Sequence, residues 1–218
     1  VLFYCLHRPD KMPAYKLTYF NIKSRGEVPR LLFAKAGVEY EDVRLSDEQF
    51  KDLKDKTPFG HLPTLEVDGR LICQSCTIIR FLAKRFGLAG KNEFDEVRVD
   101  EVIMGMEDIL SPLVQFSAEE DETRRTAMRK KYAEEQLPNY LKTLERMLVQ
   151  NKGGDGFFVG DSLTAADLCF TNYISFMPAG NIAVDWSKFP KLKALIKRVE
   201  EDDPQIAEWI KKRPDTPY

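Results

Sequence analysis

Tyr19 closes a strand-like run, Tyr15–Phe20, and is placed to present a phenol at the end of the strand. A phenol stays protonated near pH 7 and can donate one hydrogen bond. A donor aimed at sulfur favours the thiolate over the thiol, which otherwise titrates above pH 8. Arg25 follows shortly after and adds positive charge. These residue types predict a site that activates the thiol of a bound ligand.

A second segment, residues 59–69, contains a leucine followed by a proline, Leu62-Pro63. A cis bond at this proline would let Leu62 offer both backbone groups to an extended ligand, as an added strand does. Gln74 and Ser75 then stand where a helix begins. The N–H groups and the dipole of a helix N-terminus favour a carboxylate. Ser75 also suits a plain N-cap, and the two roles are compatible.

The chain from Tyr15 to about Phe86 alternates short β-rich runs with helical stretches. The predicted strands are Lys16–Asn21, Val38–Leu45 and two short runs within Leu65–Ile72, around an Asp68-Gly69 turn. The predicted helices are Gly26–Lys35 with Gly37 as its C-cap, Asp47–Lys56 and Ser75–Phe86. This order indicates a mixed, four-stranded sheet with helices over its faces, an α/β domain over residues 13–90.

After Gly90 the strand signals stop, and residues 91–218 are predicted to form an all-helical domain. The predicted helices are Glu93–Glu120, Thr123–Asn151, Thr164–Met177, Pro190–Glu201 and Pro204–Lys212. Pro112 and Pro138 are expected to bend or interrupt their helices. Thr164 and Asp167 have the spacing of a capping box, which is a folding signal rather than a site.

Composition excludes several classes of function. Of the 218 residues, 31% are charged and 43% hydrophobic, and the net charge of −2 with a pI near 5.9 provides no basic field for nucleic acid or an anionic membrane. No apolar run approaches the roughly 18 to 20 residues of a spanning helix. The four cysteines do not form a disulfide scaffold, so we expect a reduced, cytoplasmic protein.

The first residues differ from the rest of the chain. Val1–Leu6 is apolar but short, and no basic segment precedes it, so it is a poor signal peptide. Met12 directly precedes the first patterned segment. We interpret residues 1–12 as lying outside the fold, with residues 1–11 as an upstream extension and Met12 as the natural start.

Three other motifs do not carry the function that their residue types suggest. Cys73 and Cys76 form a C-x-x-C at a helix start, but a redox pair belongs after the first strand, where residues 21–24 contain no cysteine. Two histidines and one such motif do not make a four-ligand zinc site, so no metal is expected. Gly153–Gly156 lacks the following Lys-Ser/Thr of a phosphate loop.

Taken together, residues 13–218 resemble the cytosolic glutathione transferases, and within them the sigma class, which includes haematopoietic prostaglandin D synthase and the S-crystallins. The resemblance is carried by residues 15–21, 25–27, 58–63, 74–75, 160–167 and 209–214. It implies a thioredoxin-like domain followed by an all-helical one, glutathione as co-substrate, and a homodimer.

The resemblance also implies roles for single residues. Tyr19 and Arg25 would be catalytic. The residues that would bind glutathione are Tyr19, Phe20, Arg25, Phe50, Lys54, His61, Leu62, Pro63, Gln74, Ser75 and, from the partner subunit, Asp108. Phe50 stands where close relatives have tryptophan, and His61 replaces a lysine of the vertebrate prostaglandin synthase, so both positions depart from the pattern.

Further positions follow from the same resemblance. Phe59 would be the aromatic key that inserts between helices of the other subunit, a reasonable anchor for a two-fold interface. The electrophile pocket would be lined by Ile22, Ser24, Leu110 and Leu113.

The implied reaction is attack of the glutathione thiolate on a small hydrophobic electrophile, or reduction or isomerisation of a lipid peroxide. A structural S-crystallin is one alternative, but only 6 Met and no long insertion among the helices favour an enzyme. A prostaglandin D synthase is another, although Gln115 replaces its pocket tryptophan, and Met104 stands beside Glu107 and Asp108 in place of an acid. A non-catalytic carrier of glutathione or hydrophobic ligands stays open.

Overall fold

The computed structural model describes residues 13–216, so the interpretation of residues 1–12 lies outside the described part of the chain. The strands are β1 (Tyr15–Phe20), β2 (Glu41–Leu45), β3 (Thr64–Val67) and β4 (Arg70–Cys73). They form one sheet in the order β2-β1-β3-β4. Strand β1 runs parallel to β2 and antiparallel to β3, and β3 pairs antiparallel with β4. The predicted mixed, four-stranded sheet is confirmed.

Most of the remaining secondary structure in the described chain is α-helical. Three helices belong to the sheet-containing part: α1 (Ser24–Ala36), α2 (Asp47–Lys51) and α3 (Ser75–Arg85). The others follow Arg85: α4 (Glu93–Ser117), α5 (Glu122–Lys131), α6 (Leu137–Gln150), α7 (Ala165–Ile174), α8 (Pro190–Glu200) and α9 (Pro204–Lys212). Within residues 13–216, no helix is both long and apolar enough to cross a membrane.

Strand β1 is an inner strand, paired with β2 on one edge and β3 on the other, and its alternate side chains face the core. Tyr15, Leu17 and Tyr19 point into the core, and Leu17 is fully buried. The residues between them are partly exposed, as period-two alternation requires. The chain reaches the end of β1 at Phe20 and turns into α1, so Tyr19 lies at the sheet edge from which α1 starts.

Two turn predictions are confirmed at residues whose φ is positive. Asp68 and Gly69 have φ of 49° and 79°, as the two central residues of a hairpin turn between β3 and β4 should. Gly37 caps α1 with φ of 62°, and its N–H donates to the carbonyls of Phe33 and Ala34. A side chain would disfavour this left-handed conformation, so glycine suits the end of the helix.

Pro112 and Pro138, both expected to bend or interrupt their helices, lie in different positions in the structure. Helix α4 continues through Pro112 without interruption. Losing a helical hydrogen bond there costs about 3 kcal/mol, but Leu110 and Leu113 on either side are buried, and burying such side chains returns about 1.5–3 kcal/mol each. The helix predicted for 123–151 is instead α5, a π-helical segment at Tyr132–Gln136, and α6. Pro138 lies in the first turn of α6, where its missing N–H is tolerated.

Helix α7 is the central helix of the all-helical part, and every one of its residues is buried. The predicted capping box is present at its start. The Asp167 carboxylate accepts hydrogen bonds from the Thr164 N–H at 2.8 Å and from the Phe158 N–H at 2.8 Å. Burial raises the pKa of Asp167 to about 6, and these hydrogen bonds act in the opposite direction. The helix itself ends at Ile174, three residues before the predicted end.

A buried charge pair connects α1 to the end of β1. Glu27 is 1% exposed and Arg30 is fully buried, with 3.3 Å between Glu27 Oε2 and Arg30 Nη1. Arg30 also donates to the carbonyl of Ile22 at 2.7 Å and to Asp42 on β2 at 3.1 Å. Its guanidinium lies 5.9 Å from the centre of the Tyr19 ring. The pair therefore holds together the strand end, the following loop and β2.

Helix α9 completes this network from far along the chain. The Trp209 indole N–H donates to Glu27 Oε1 at 2.8 Å, and Arg213 Nη1 donates to the same oxygen at 3.1 Å. Each oxygen of the Glu27 carboxylate therefore has a partner although almost no water can reach it. Buried charges are tolerated when they are paired and hydrogen-bonded in this way.

We expect Glu27→Ala to lower the free energy of unfolding by about 3 kcal/mol, because it leaves a buried guanidinium short of its counter-charge. The matched control is Glu208→Ala, which removes an exposed ion pair with Lys212 and should cost less than about 1 kcal/mol. Denaturant unfolding of the two variants gives the comparison. Equal effects would show that the network does not stabilise the fold.

Candidate active site

A cleft of about 760 Å³ lies where the sheet-containing part meets α4. Its volume is in the range of small-molecule sites. Seven of the predicted site residues line it, namely Arg25, Phe59, His61, Leu62, Pro63, Gln74 and Ser75. The peptide bond between Leu62 and Pro63 is cis, as the sequence analysis expected. The structure thus brings three separate segments of the chain to one place.

Tyr19, at the end of β1, is 5% exposed and is not among the residues that line the cleft, but it is next to the cleft because its ring contacts Gly26, which directly follows the cleft-lining Arg25. Its ring packs directly over Gly26 in the first turn of α1. A Cβ added at Gly26 would lie 2.6 Å from Cγ of the Tyr19 ring and 2.9 Å from its Cβ. No hydrogen bond joins the Tyr19 hydroxyl to any residue within 13–216. The ring is therefore held by packing, and its donor is available to a ligand.

Arg25 extends into the cleft and is held by an acid from the helical part. Its Nη2 donates to Glu107 Oε2 on α4 at 2.6 Å. The buried hydroxyl of Tyr173 on α7 donates to the other oxygen of Glu107 at 3.3 Å. Burial lowers the pKa of Arg25, but the hydrogen bond and charge of Glu107 outweigh it and raise the pKa overall. Arg25 is therefore a fixed cation in a fixed orientation.

Gln74 and Ser75 form the start of α3 at the floor of the cleft. Gln74 is the N-cap residue, with φ of 72°, and no hydrogen bond from its own side chain caps the helix. A positive φ in a residue other than glycine costs on the order of 1–3 kcal/mol, and such strain concentrates at functional sites. Ser75 is buried at the first helical position. Unused N–H groups of a helix N-terminus here suit an anionic group.

Phe50, Lys54 and His61 are the residues predicted to contact the glycyl end of glutathione. The Phe20 ring meets the Phe50 ring edge-on, with 5.3 Å between centroids. The side chain of Lys54 passes next to Gly60, the residue before His61. Phe50, Lys54 and His61 are thus neighbours of the cleft segment, and their contact with a ligand stays a prediction.

The residues assigned to the electrophile pocket fall into two groups. The backbone carbonyls of Ile22 and Ser24 accept hydrogen bonds from Arg30 and from the Asn172 amide, so the loop is held in place. Leu110 and Leu113 on α4 are buried in the apolar core. That these four residues border one pocket stays a prediction.

Cysteines in the cleft have a different character from a redox pair. Cys73, Cys76 and Cys169 are free thiols, and the first two line the cleft. Burial and the charge of Glu107 raise the pKa of Cys76 to about 11. At pH 7 only about one thiol in ten thousand would then be ionised, which disfavours thiol–disulfide exchange. Within residues 13–216, no group of three His, Cys, Asp or Glu side chains could hold a metal ion.

Two sequence models match this chain. One describes the N-terminal domain of glutathione S-transferases and covers residues 15–84, and the other describes their C-terminal domain and covers residues 107–213. The chain belongs to the glutathione S-transferase family.

Individual relatives agree with this assignment over nearly the whole chain. The chain is 41% identical over 211 residues to glutathione S-transferase 1 of Ascaris suum, covering 95% of this chain and 100% of that protein. It is 39% identical to the haematopoietic prostaglandin D synthase of Gallus gallus, with coverages of 94% and 99%. The crystal structure of the glutathione S-transferase from Ascaris lumbricoides superposes with a TM-score of 0.82 at 38% identity, over 94% of this chain and 100% of that one.

Three residues of the site were not assigned a role from the sequence. Glu107 and Tyr173 hold Arg25, and Gly26 makes room for the Tyr19 ring. One signal was available for Glu107, which lies four residues after the buried Ile103 and is therefore on the inner side of α4. An acid on a buried helix face needs a cationic partner. Gly26 has no local signal, because its requirement comes from the neighbouring strand.

If Tyr19 has the role predicted for it, we expect Gly26→Ala to displace the Tyr19 ring and lower kcat/KM for glutathione conjugation by about tenfold or more, since small misplacements of a catalytic group are costly. The matched control is Gly156→Ala, where an added Cβ meets nothing within 4 Å. Steady-state kinetics and thermal unfolding of both variants separate loss of positioning from loss of fold. Normal kinetics in a folded Gly26→Ala protein would contradict the packing argument.

Proposed function

We propose that this glutathione S-transferase activates the thiol of glutathione through the Tyr19 hydroxyl and directs it at small hydrophobic electrophiles. One observation carries the proposal. Tyr19 is held by Gly26 and Arg30 beside the cleft, and its hydroxyl makes no hydrogen bond within the described chain. A phenol placed at such a site without a protein partner is suited to donate to a ligand atom.

Binding of the tripeptide is assigned to the walls of the cleft. The backbone N–H and C=O of Leu62 would pair with the central, cysteinyl part as a strand does. The α3 N-terminus at Gln74 and Ser75 would hold the γ-glutamyl carboxylate by its free N–H groups and its dipole. Phe50, Lys54 and His61 would contact the glycyl end. These contacts would place the sulfur near Tyr19.

Ionising the bound thiol near neutral pH requires the site to stabilise the thiolate relative to the thiol. Lowering a thiol pKa by about two units needs roughly 2.7 kcal/mol of preferential stabilisation. A neutral hydrogen bond contributes only about 0.5–1.5 kcal/mol net, although a preorganised donor in a water-poor site contributes more. Tyr19 therefore needs help from other groups. The positively charged or partly positive groups available to stabilise the thiolate are the N-terminus of α3 and the Arg25 guanidinium.

The ion pair with Glu107 limits what Arg25 can contribute. The Glu107 carboxylate lies 2.6 Å from the Arg25 guanidinium, so the two opposite charges together act on more distant groups as a dipole and not as an isolated cation. Its held N–H groups keep their direction, which favours orientation of the ligand over bulk electrostatic attraction. We therefore assign Tyr19 the direct role at sulfur and Arg25 an orienting and supporting role.

The finer classification is also a proposal. The resemblance favours the sigma class, and Ile22, Ser24, Leu110 and Leu113 are proposed to shape the electrophile pocket. A role in detoxification follows from a thiolate aimed at varied hydrophobic electrophiles. A cytoplasmic location is supported by the three free thiols of the described chain, which suit a reducing compartment.

A homodimer is supported by exposed residues that the monomer does not use. Phe59 is 63% exposed, an unusual state for a large aromatic ring, and it lies at the edge of the cleft. Asp108 is exposed on α4 and is proposed to reach the γ-glutamyl amine in the partner subunit's site. In a dimer with two-fold symmetry, each subunit would contribute its own Phe59 and Asp108 to the interface.

We expect Tyr19→Phe to keep the ring packing and glutathione binding but to lower turnover near pH 6.5 by about tenfold to a thousandfold, which is about 1.4–4 kcal/mol. Raising the pH should recover part of the loss, because bulk ionisation of the thiol then replaces the hydroxyl. The ultraviolet absorbance of the bound thiolate, titrated against pH, reports the thiol directly.

The matched control is Tyr132→Phe, which removes a hydroxyl that donates to the Ile109 carbonyl at 2.9 Å; Tyr132 is not among the residues that line the cleft. It should lose about 1 kcal/mol of stability and leave the thiol titration unchanged. If Tyr19→Phe and the wild type titrate identically, Tyr19 has no catalytic role.

We expect Phe59→Ala to weaken the dimer by about 2 kcal/mol or more, the scale of an interface anchor. Sedimentation at micromolar concentration measures it, with Leu71→Ala as a control that shortens another exposed apolar side chain. A wild-type protein that sediments as a monomer would refute both the anchor and the role given to Asp108.

A further inference from the structure

A second cavity, of about 640 Å³, lies between the end of α7, the segment that follows it and α8. None of the residues that line it is among those lining the cleft beside Tyr19. The proposed chemistry gives this cavity no role. Its volume is nevertheless sufficient for a small organic molecule.

Most of the wall is apolar and built from large side chains. The apolar lining includes Ile174, Met177, Ile182, Val184, Trp186 and Ile196. Met177 and Ile182 are almost completely buried behind the wall, whereas Val184, Trp186 and Ile196 are partly exposed and present apolar surface to the cavity. Such a wall favours the apolar or aromatic part of a molecule.

One charged group lines the same cavity. Glu200, in the last turn of α8, is half-buried and receives no hydrogen bond from residues 13–216. Burial raises its pKa, as expected for a carboxylate short of partners. Two cations, Arg213 and Lys23, act against this rise from outside the cavity wall. Arg213 is already paired with Glu27 at 3.1 Å, so its charge is shared.

The two hydroxyl groups of the cavity wall offer hydrogen-bond acceptors to a ligand, and not donors. Thr171 Oγ1 donates to the Leu168 carbonyl at 3.3 Å, and Ser175 Oγ donates to the Asn172 carbonyl at 2.6 Å. With their protons committed, both oxygens can only accept from a ligand. Glu200 and the two hydroxyls therefore present acceptors and negative charge at the polar parts of an apolar cavity.

We propose that this cavity is a second ligand site that binds small amphipathic amines, with the aromatic or alkyl body against Val184, Trp186 and Ile196 and the protonated amine against Glu200. Charge complementarity selects this class. Of the side chains that line the cavity, only Asn181 and Trp186 carry N–H donors and none is cationic, so an amine brings the missing positive charge, and its apolar body fills the remainder. A carboxylate head of the same size would meet Glu200 with like charge. The site goes beyond the proposed transferase activity and does not depend on it.

Three probes of equal length test the assignment: 4-phenylbutylamine, 4-phenylbutan-1-ol and 4-phenylbutyrate. Trp186 is one of two tryptophans in the chain and reports binding by a change in its fluorescence, which should disappear in Trp186→Phe. We expect the amine to bind at least about tenfold more tightly than the acid, with the alcohol between them. Equal affinity of the amine and the acid for the wild-type protein would overturn the proposal without any variant.

Two variants locate the charge that selects the amine. Glu200→Gln keeps the shape of the side chain and should abolish the preference, whereas Glu201→Gln, at the exposed neighbouring residue, should retain it. A preference that persists in folded Glu200→Gln protein would overturn the assignment of the site. In a final measurement, the affinity for the amine is determined in the presence of saturating S-hexylglutathione, and it is expected to stay unchanged. Displacement of the amine would mean that it occupies the glutathione cleft or its electrophile pocket, and the second site would be rejected.

Discussion

The buried pair of Glu27 and Arg30 is the constraint on which the arrangement around β1 depends. Two opposite charges removed from water need complete hydrogen bonding, and bare burial of either one would cost several kcal/mol. The partners that meet this need are the loop carbonyl of Ile22, Asp42 on β2, and Trp209 and Arg213 at the far end of the chain. Satisfying the pair therefore fixes the loop that follows Tyr19, and with it the position of the phenol.

A second charge pair, Arg25 with Glu107, joins the sheet-containing part to the helical part across the cleft. Each of the two parts supplies one half of it, and Tyr173 holds the acid from a third direction. The geometry of the site is consequently a property of the packed molecule and not of the thioredoxin-like part alone. Bound glutathione would lie next to a contact that exists only when both parts are docked.

Local chemistry in the sequence predicted the features that depend on a few neighbouring residues. Asp68-Gly69 specified the hairpin, Gly37 the end of α1, and Thr164 with Asp167 the start of α7. The features that were missed depend on distant residues. Arg25 and Glu107 are 82 positions apart, and Gly26 is needed only because a ring from β1 lies over it. The π-helical segment before Pro138 was missed because a proline at a helix start and one within a helix look alike in a continuous apolar pattern.

The contact of α9 with Glu27 has a consequence for the order in which the protein can acquire its structure during synthesis. Glu27 leaves the ribosome early, yet Trp209 and Arg213, which satisfy its carboxylate, are made 182 and 186 residues later. At ordinary elongation rates the delay is roughly 10 to 40 s. During that interval the Glu27 carboxylate, next to the loop that connects Tyr19 on β1 to Arg25 on α1, lacks two of its hydrogen-bond donors. The nascent N-terminal half is therefore expected to have a correctly ordered sheet well before it has a correctly shaped thiol site.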